Sequence, residues 1–360
     1  MKNYAMKMCS VKRLERTELE MPVAAADQVV VKIEYCGICG SDMHFFQNGA
    51  IGTRKAPPDF ILGHESAGTV IEVGKDVTTL KVGDRVALEP GVPCGKCQYC
   101  KSGKYNLCPD VHFLAAAKPP TNGALRNYFA YPAEWCFKLP DNVSTMEGTM
   151  LEPLSVGMHA AGRGGAELGK TALIIGVGTI GYMTMLACKA MGVSKIIVSD
   201  ALENRLALAL QHGADYAINV KNEDAVEKVM EYTDGEGCDI VFETAGSPVT
   251  LASTWKYVKT AGVIVNVGNA SGEIPFVFGE LARKEVDIRS VWRYRNIYPI
   301  AIEAVRTGKI DLKHIEPAMF PFEKSQEAFE YAFEHRSEVL KTIIPVSYTH
   351  LRAHETSAHL

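Results

Sequence analysis

Leu173-Ile174-Ile175-Gly176-Val177-Gly178-Thr179-Ile180-Gly181 is an apolar run broken by three spaced glycines before the apolar character resumes. Thr171 to Cys188 carries no charge and reaches the length of a membrane span. Its short apolar start, glycine-rich middle and apolar continuation instead predict a strand, a tight turn and a buried helix. In that order the glycines have separate work. Gly176 allows the turn, Gly178 lets the backbone approach a pyrophosphate, and Gly181 lets helix and strand pack closely. The helix start then offers free N–H groups and a positive dipole end to phosphate. A second strand ends at Ser199-Asp200, about twenty residues on, where a carboxylate can accept ribose hydroxyls and repel a 2′-phosphate. That favours NAD over NADP. Asp200 also suits a helix cap, a role compatible with the first. Arg205, about one turn further, is placed to cover the adenosine.

Outward from this fingerprint the pattern repeats. Lys195-Ile196-Ile197-Val198, Ile240-Val241-Phe242 and Val263-Ile264-Val265 are further short apolar strands, separated by helical stretches such as Glu203 to Gln211. Alternation of this kind predicts a parallel sheet covered on both faces, over residues 151–275. Residues 1–150 read differently. Gln28 to Tyr35, Glu65 to Val73 and Lys81 to Leu88 are strand candidates with glycine punctuation, as in a barrel-like fold. Beyond residue 275 the regularity fades, and Lys341-Thr342-Ile343-Ile344-Pro345-Val346 reads as a last strand. The first domain is therefore expected to be discontinuous, 1–150 with 276–346. Residues 347–360 follow neither period and are set aside as a non-native or disordered tail.

The N-terminal part carries the metal chemistry. Cys94-x2-Cys97-x2-Cys100-x7-Cys108 supplies four soft ligands from one loop. Four thiolates close a zinc tetrahedron and leave it little Lewis acidity, which predicts a structural site; an iron–sulfur cluster would use similar ligands. A second site gathers distant residues: Cys39, His64 and a carboxylate, Glu65 or Glu152. Thiolate, neutral imidazole and one carboxylate bring Zn²⁺ to zero net charge. A second direct carboxylate would weaken its pull on a hydroxyl, so one is expected to bind directly and the other through water, or the two to exchange.

The bulk numbers agree with an enzyme of two domains. The chain has 360 residues, a formal net charge of −4 and 47% hydrophobic residues. No basic run favours nucleic acid. The start of the chain lacks a signal-peptide core, so a reducing, cytoplasmic setting is expected, where clustered cysteines bind metal rather than form disulfides.

With these motifs in place the chain resembles the zinc-dependent medium-chain dehydrogenases, and within them the sorbitol (polyol, L-iditol 2-) dehydrogenases. The resemblance runs from about Val29 to Val346. It is carried by Gly37-Ile38-Cys39-Gly40-Ser41-Asp42-x-His44, Gly63-His64-Glu65, Leu139 to Val143, Glu152-Pro153-Leu154-Ser155-Val156-Gly157, the glycine fingerprint, Glu285 to Ile288, and Arg293-Tyr294. It implies a GroES-like β-barrel-type catalytic domain, a Rossmann doubly wound parallel-sheet cofactor domain, and a homodimer or homotetramer. It implies that Glu152 stands where ordinary alcohol dehydrogenases have a second zinc cysteine. Ser41 and His44 would relay a proton, and Arg293 and Tyr294 would touch substrate and cofactor. Ile180, Val267, Gly268 and Val291 would line the nicotinamide pocket. Phe45 stands where sorbitol dehydrogenases commonly have Tyr, so one hydrogen bond to a polyol is missing, which bears on substrate choice. The expected reaction is oxidation of a secondary alcohol of sorbitol, xylitol or iditol type to a ketose with NAD. The rivals are a related dehydrogenase acting on L-threonine or another alcohol, and a zinc- and nucleotide-binding protein without catalysis.

Overall fold

The computed structural model describes residues 1–347 and divides into two units. The first holds Met1–Glu152 together with the chain from Leu312 onward; the second is Pro153–Asp311. The tail expected from residue 347 lies outside the described residues, apart from Ser347, whose hydroxyl donates to the Ile33 carbonyl oxygen at 2.6 Å.

The first unit is built on the strand Gln28–Ile38. Its Val29-Val30-Val31 run is β-branched and fully buried, as a central strand requires. One edge pairs antiparallel with Glu65–Val73, and the other pairs with Tyr128–Pro132 and then Thr342–Pro345. Arg85–Leu88, Cys136–Lys138 and Ala318–Met319 complete a seven-stranded sheet. Val31, Ile33, Phe46, Phe60, Leu88 and Ile344 belong to one buried apolar cluster. The last strand thus joins the middle of the first unit's sheet.

The second unit is a six-stranded, all-parallel sheet. Its order is Tyr216–Asn219, Lys195–Asp200, Thr171–Ile175, Cys238–Glu243, Val258–Asn266, Asp287–Ser290. Numbered along the chain this is 3-2-1-4-5-6, the doubly wound Rossmann order, which opens a ligand crevice at the carboxyl ends where the order reverses. Leu173, Ile197, Val241 and Ile264 form its core. The stretch of membrane-spanning length is the strand Thr171–Ile175 followed by the helix Thr179–Ala190. Among the described residues, no helix is long and apolar enough to cross a membrane.

The unit boundary differs from the sequence expectation. Residues 276–311 stay with the parallel sheet, because Asp287–Ser290 pairs in register with Val263–Asn266 as its sixth strand. The chain rejoins the first unit at Leu312 rather than at residue 276.

Candidate active site

Cys39 follows the strand Gln28–Ile38 and caps the helix Gly40–Asn48 from an extended backbone. Asp42, three residues on, turns back to accept the Cys39 N–H at 3.1 Å, as a capping carboxylate does. On the neighbouring strand Glu65 is paired with Gly37, which puts His64 and Glu65 beside Cys39. One ligand atom from each of Cys39, His64 and Glu65 falls within 4.8 Å of the others. Zinc ligands at about 2.0–2.3 Å stand roughly 3.3–3.8 Å apart across a tetrahedron, so this trio fits a zinc ion in spacing and donor chemistry. His64 and Glu65 are buried, and Cys39 is half-buried.

Two charged side chains hold this trio from behind. Asp42 Oδ1 lies 3.5 Å from His64 Nδ1 and also accepts the Gly63 N–H at 3.0 Å. A carboxylate on Nδ1 leaves Nε2 as the ligand nitrogen. On the other side, the Lys341 ammonium forms a buried ion pair with Glu65 Oε2 and donates to the Ile38 carbonyl oxygen at 3.0 Å. Burial disfavours this ammonium, but the charges of Glu65 and Cys39 outweigh it and raise its pKa, so it stays protonated.

Glu152 is buried at the end of the first unit and lies outside the 4.8 Å trio. Its charge reaches Lys341 and Glu89. Burial first, and Glu152 in addition, push the Glu89 carboxyl up to about 7 against a hydrogen bond from Tyr105. Ser41 is half-buried and His44 exposed on the same short helix. Phe45 is buried in the core, edge-on to Phe60 with ring centroids 5.3 Å apart.

Cys94, Cys97, Cys100 and Cys108 bring their four sulfurs within 4.8 Å of one another. Cys97 caps the short helix Gln98–Lys101, its sulfur accepting the Cys100 N–H, and the Cys94 N–H points to the Cys108 sulfur at 3.4 Å. Backbone donors aimed at sulfur favour thiolates. The loop fits a closed four-sulfur metal site.

In the second unit, Gly176 has φ +86, a conformation that favours glycine. A methyl group at Gly181 would overlap the Gly176 carbonyl oxygen, whereas at Gly178 its nearest neighbour would be Arg205 Nη1 at 3.5 Å. The helix Thr179–Ala190 begins without a side-chain cap, and Ile180 in its first turn is half-buried. A Gly178 whose only near neighbour is the end of the flexible Arg205 side chain, together with an uncapped helix start, is what a dinucleotide pyrophosphate needs. Asp200 accepts the Val177 N–H at 2.8 Å and the Leu202 N–H at 3.0 Å, and Arg205 Nη1 stands 3.8 Å from it. Each Asp200 oxygen keeps a lone pair for a ribose hydroxyl.

The Val267 and Gly268 N–H groups both donate to the Glu243 carbonyl oxygen, and the Val291 N–H donates to the Asn266 carbonyl. These residues stand at the carboxyl ends of the sheet. Arg293 has φ +53 and lies over the Trp292 ring; Tyr294 is buried, its ring 5.9 Å from that of Tyr298.

Three residues at these sites were missed by sequence reasoning. For Asp42 the readable signal is an acidic residue three after a helix cap. Lys341 carries the one charge in its strand segment, and a lone lysine in an apolar run was the available clue. Glu243, fully buried, accepts from Gly246 N–H at 3.0 Å and Thr250 Oγ1 at 2.7 Å, tying together the loop after its strand. Nothing in its local sequence marks it.

Comparison with known proteins agrees with both halves of the fold. The family model of the alcohol dehydrogenase GroES-like domain matches residues 25–141, and that of the zinc-binding dehydrogenases matches residues 179–307. An uncharacterised zinc-type alcohol dehydrogenase-like protein of Escherichia coli is 46% identical, over 91% of this chain and 94% of that protein. Sorbitol dehydrogenase of Bacillus subtilis is 41% identical, over 94% of this chain and 95% of that protein. The crystal structure of an Escherichia coli oxidoreductase/dehydrogenase of unknown specificity superposes with a TM-score of 0.93 at 44% identity, covering 97% of this chain and 100% of that one. The chain belongs to the zinc-dependent medium-chain dehydrogenases, close to the sorbitol dehydrogenases.

Proposed function

We propose that this protein is an NAD-dependent polyol dehydrogenase that oxidises a secondary alcohol of sorbitol, xylitol or iditol type to the ketose. The observation that carries the reading is the trio of half-buried Cys39 with buried His64 and Glu65, whose ligand atoms lie within 4.8 Å of one another. Bound zinc would supply Lewis acidity toward a substrate hydroxyl, and bound NAD the hydride acceptor, so that an alcohol loses a proton and a hydride. Everything else falls to side chains of this chain.

Cys39, His64 and Glu65 hold the metal, and Asp42 fixes the ring and tautomer of His64. Glu152, outside the trio, holds a proton or a water near the reacting hydroxyl. Ser41 and His44, along the helix that Cys39 caps, pass the proton outward, His44 being the exposed end. Arg293 and Tyr294 are the second unit's candidates for contacts to substrate and cofactor. Phe45 cannot donate as Tyr would, which favours polyols that make no demand there. Gly176, Gly178 and Gly181 seat the pyrophosphate, and Asp200 selects the unphosphorylated ribose. Ile180, Val267, Gly268 and Val291 hold the nicotinamide. Cys94, Cys97, Cys100 and Cys108 hold a second, structural zinc. The working form is a cytoplasmic dimer or tetramer.

The test is a panel of polyols, L-threonine and simple alcohols, each offered with NAD and with NADP and followed at the reduced nicotinamide band. Turnover of polyols with NAD is expected. Preference for threonine or a primary alcohol would replace the substrate; no turnover with any alcohol would favour the non-catalytic rival.

A further inference from the structure

Glu243 ends the fourth strand of the parallel sheet, Cys238–Glu243, at the place where the strand order reverses. Register sets Ile175 beside it on one neighbouring strand and Asn266 on the other. It therefore sits between the glycine turn and the loop that carries Val267 and Gly268. A carboxyl group fully buried in a sheet needs hydrogen-bond partners, and this residue finds them in two loops. Its Oε1 accepts the Gly246 N–H at 3.0 Å and the Thr250 hydroxyl at 2.7 Å, both after the fourth strand. Its backbone carbonyl accepts the Val267 and Gly268 N–H groups at 2.9 and 2.8 Å, both after the fifth. The two loops close over the side chain: a methyl group at Gly268 would overlap the Gly246 nitrogen and Glu243 Oε2. Among the described residues, neither Oε2 nor Asn266 Oδ1, both buried, receives a hydrogen bond.

We propose that Glu243 is a positioning residue for the nicotinamide half of the cofactor: it braces the loops after the fourth and fifth strands without touching the dinucleotide. The inference rests on the cofactor site of the proposed function and goes beyond it. Sheet order divides that site. Asp200 ends the second strand and the glycine turn follows the first, so adenosine and pyrophosphate lie on that side of the reversal. The rest of the dinucleotide then lies over the fourth and fifth strands, where Glu243 acts. The glycine turn has its own support in Thr244, whose hydroxyl lies 2.9 Å from the Ile175 carbonyl oxygen and also meets that of Gly176. Burial raises the Glu243 carboxyl towards its neutral form. A carboxamide copies that form: it has the same shape, one oxygen for Gly246 and Thr250, and an N–H in place of Oε2.

The experiment compares two probes. NADH carries both halves of the cofactor; ADP keeps the adenosine and pyrophosphate and lacks the nicotinamide riboside. Each is titrated by calorimetry into wild type, Glu243→Ala, Glu243→Gln and Thr250→Val. In Glu243→Ala the NADH affinity should fall by about tenfold or more, the scale of buried donors left without an acceptor. ADP affinity should stay within about twofold of wild type, as for a site that shares no partner with the altered one. Glu243→Gln should recover most of the NADH affinity, because its amide oxygen still serves Gly246 and Thr250. A residue needed only for packing would weaken both probes alike. Equal losses for NADH and ADP, an unchanged NADH affinity in Glu243→Ala, or a Glu243→Gln as weak as Glu243→Ala overturns the inference. If Glu243→Ala does not fold, Thr250→Val decides, since it removes one donor and leaves the carboxyl in place. A fall confined to NADH supports the inference; unchanged or equally weakened binding of the two probes overturns it. A wild type that binds neither NADH nor ADP would sink the proposed cofactor site and this inference with it, an outcome distinct from variants that bind both probes as wild type does.

Discussion

Asp42 Oδ1 stands 3.5 Å from Nδ1 of His64 while the same carboxylate accepts the N–H groups of Cys39 and Gly63. One side chain therefore fixes three parts of the trio: the backbone at the thiolate, the backbone before the imidazole, and the imidazole itself. Its carboxyl is held below the ordinary carboxylate range. Burial opposes that, but the His64 imidazole and the two backbone donors outweigh it.

Asp42→Asn keeps an acceptor and loses the charge; Asp42→Ala loses both. Zinc affinity should fall by about tenfold to a hundredfold in Asp42→Asn, with a smaller loss of melting temperature in the metal-free protein than in Asp42→Ala, because the amide oxygen can accept only one of the two backbone N–H groups. Asp42→Ala should lose both affinity and stability, because two buried N–H groups are left without their acceptor. Chelator competition and thermal melts check the split. Equal metal affinity in wild type and Asp42→Asn would remove Asp42 from the site.

Gly178 and Gly181 separate cofactor approach from packing. Gly178→Ala meets only the end of a flexible arginine, so the fold should hold while NADH affinity, read by fluorescence, drops by about tenfold or more as the methyl group occupies the pyrophosphate's approach. Gly181→Ala collides with the Gly176 backbone and Thr244 Oγ1, and should cost about 1–3 kcal/mol or more of stability as well as the cofactor. Normal NADH binding by Gly178→Ala would mean that the glycine turn is not the phosphate seat.

Cys108 is the buried member of the four-cysteine loop. Cys108→Ser should release one zinc equivalent per chain and lower the melting temperature, since metal binding at such a loop is folding free energy. Zinc at Cys39 and His64 should persist until the loop unfolds. Elemental analysis before and after gel filtration measures this; retention of both equivalents would assign the loop another role.

Which of these features could be read from the chain follows from where the information lies. The glycine turn and the four-cysteine loop are contiguous, so spacing alone carries the geometry. Cys39 and His64 were legible as types in separate motifs. What brings them together is the register of Gly37 on Glu65, which no local pattern encodes. Lys341 is further removed, since its approach depends on a second register, Ile343 on Gly37. The strand Asp287–Ser290 was missed for a different reason. As the last strand of the sheet it is largely exposed and carries charges, so it lacks the apolar run that marked its buried neighbours. The domain boundary was misplaced by that one strand.

His159 offers a pH test away from both metal sites. It is buried in the helix Thr145–Gly164, and burial, with the positive charges of Arg295 and Arg163, pushes its imidazole down to about 4 from an ordinary value of 6.5. The folded pKa lies below the unfolded one, so as pH falls the unfolded chain takes the proton first. Neutral His159 costs no stability above about 6.5. Between there and about 4 the folded state loses ground, by on the order of 2 kcal/mol once partial solvent contact is allowed for, and below 4 the loss is constant. His159→Gln cannot take up a proton. Its stability relative to wild type, from urea denaturation at pH 7.5, 5.5 and 4.5, should therefore rise as the solution becomes more acidic. Acid release of metal acts on both proteins and cancels in the difference. Parallel stability curves for the two proteins would show that His159 titrates alike in the folded and unfolded chain, contrary to its burial beside two arginines.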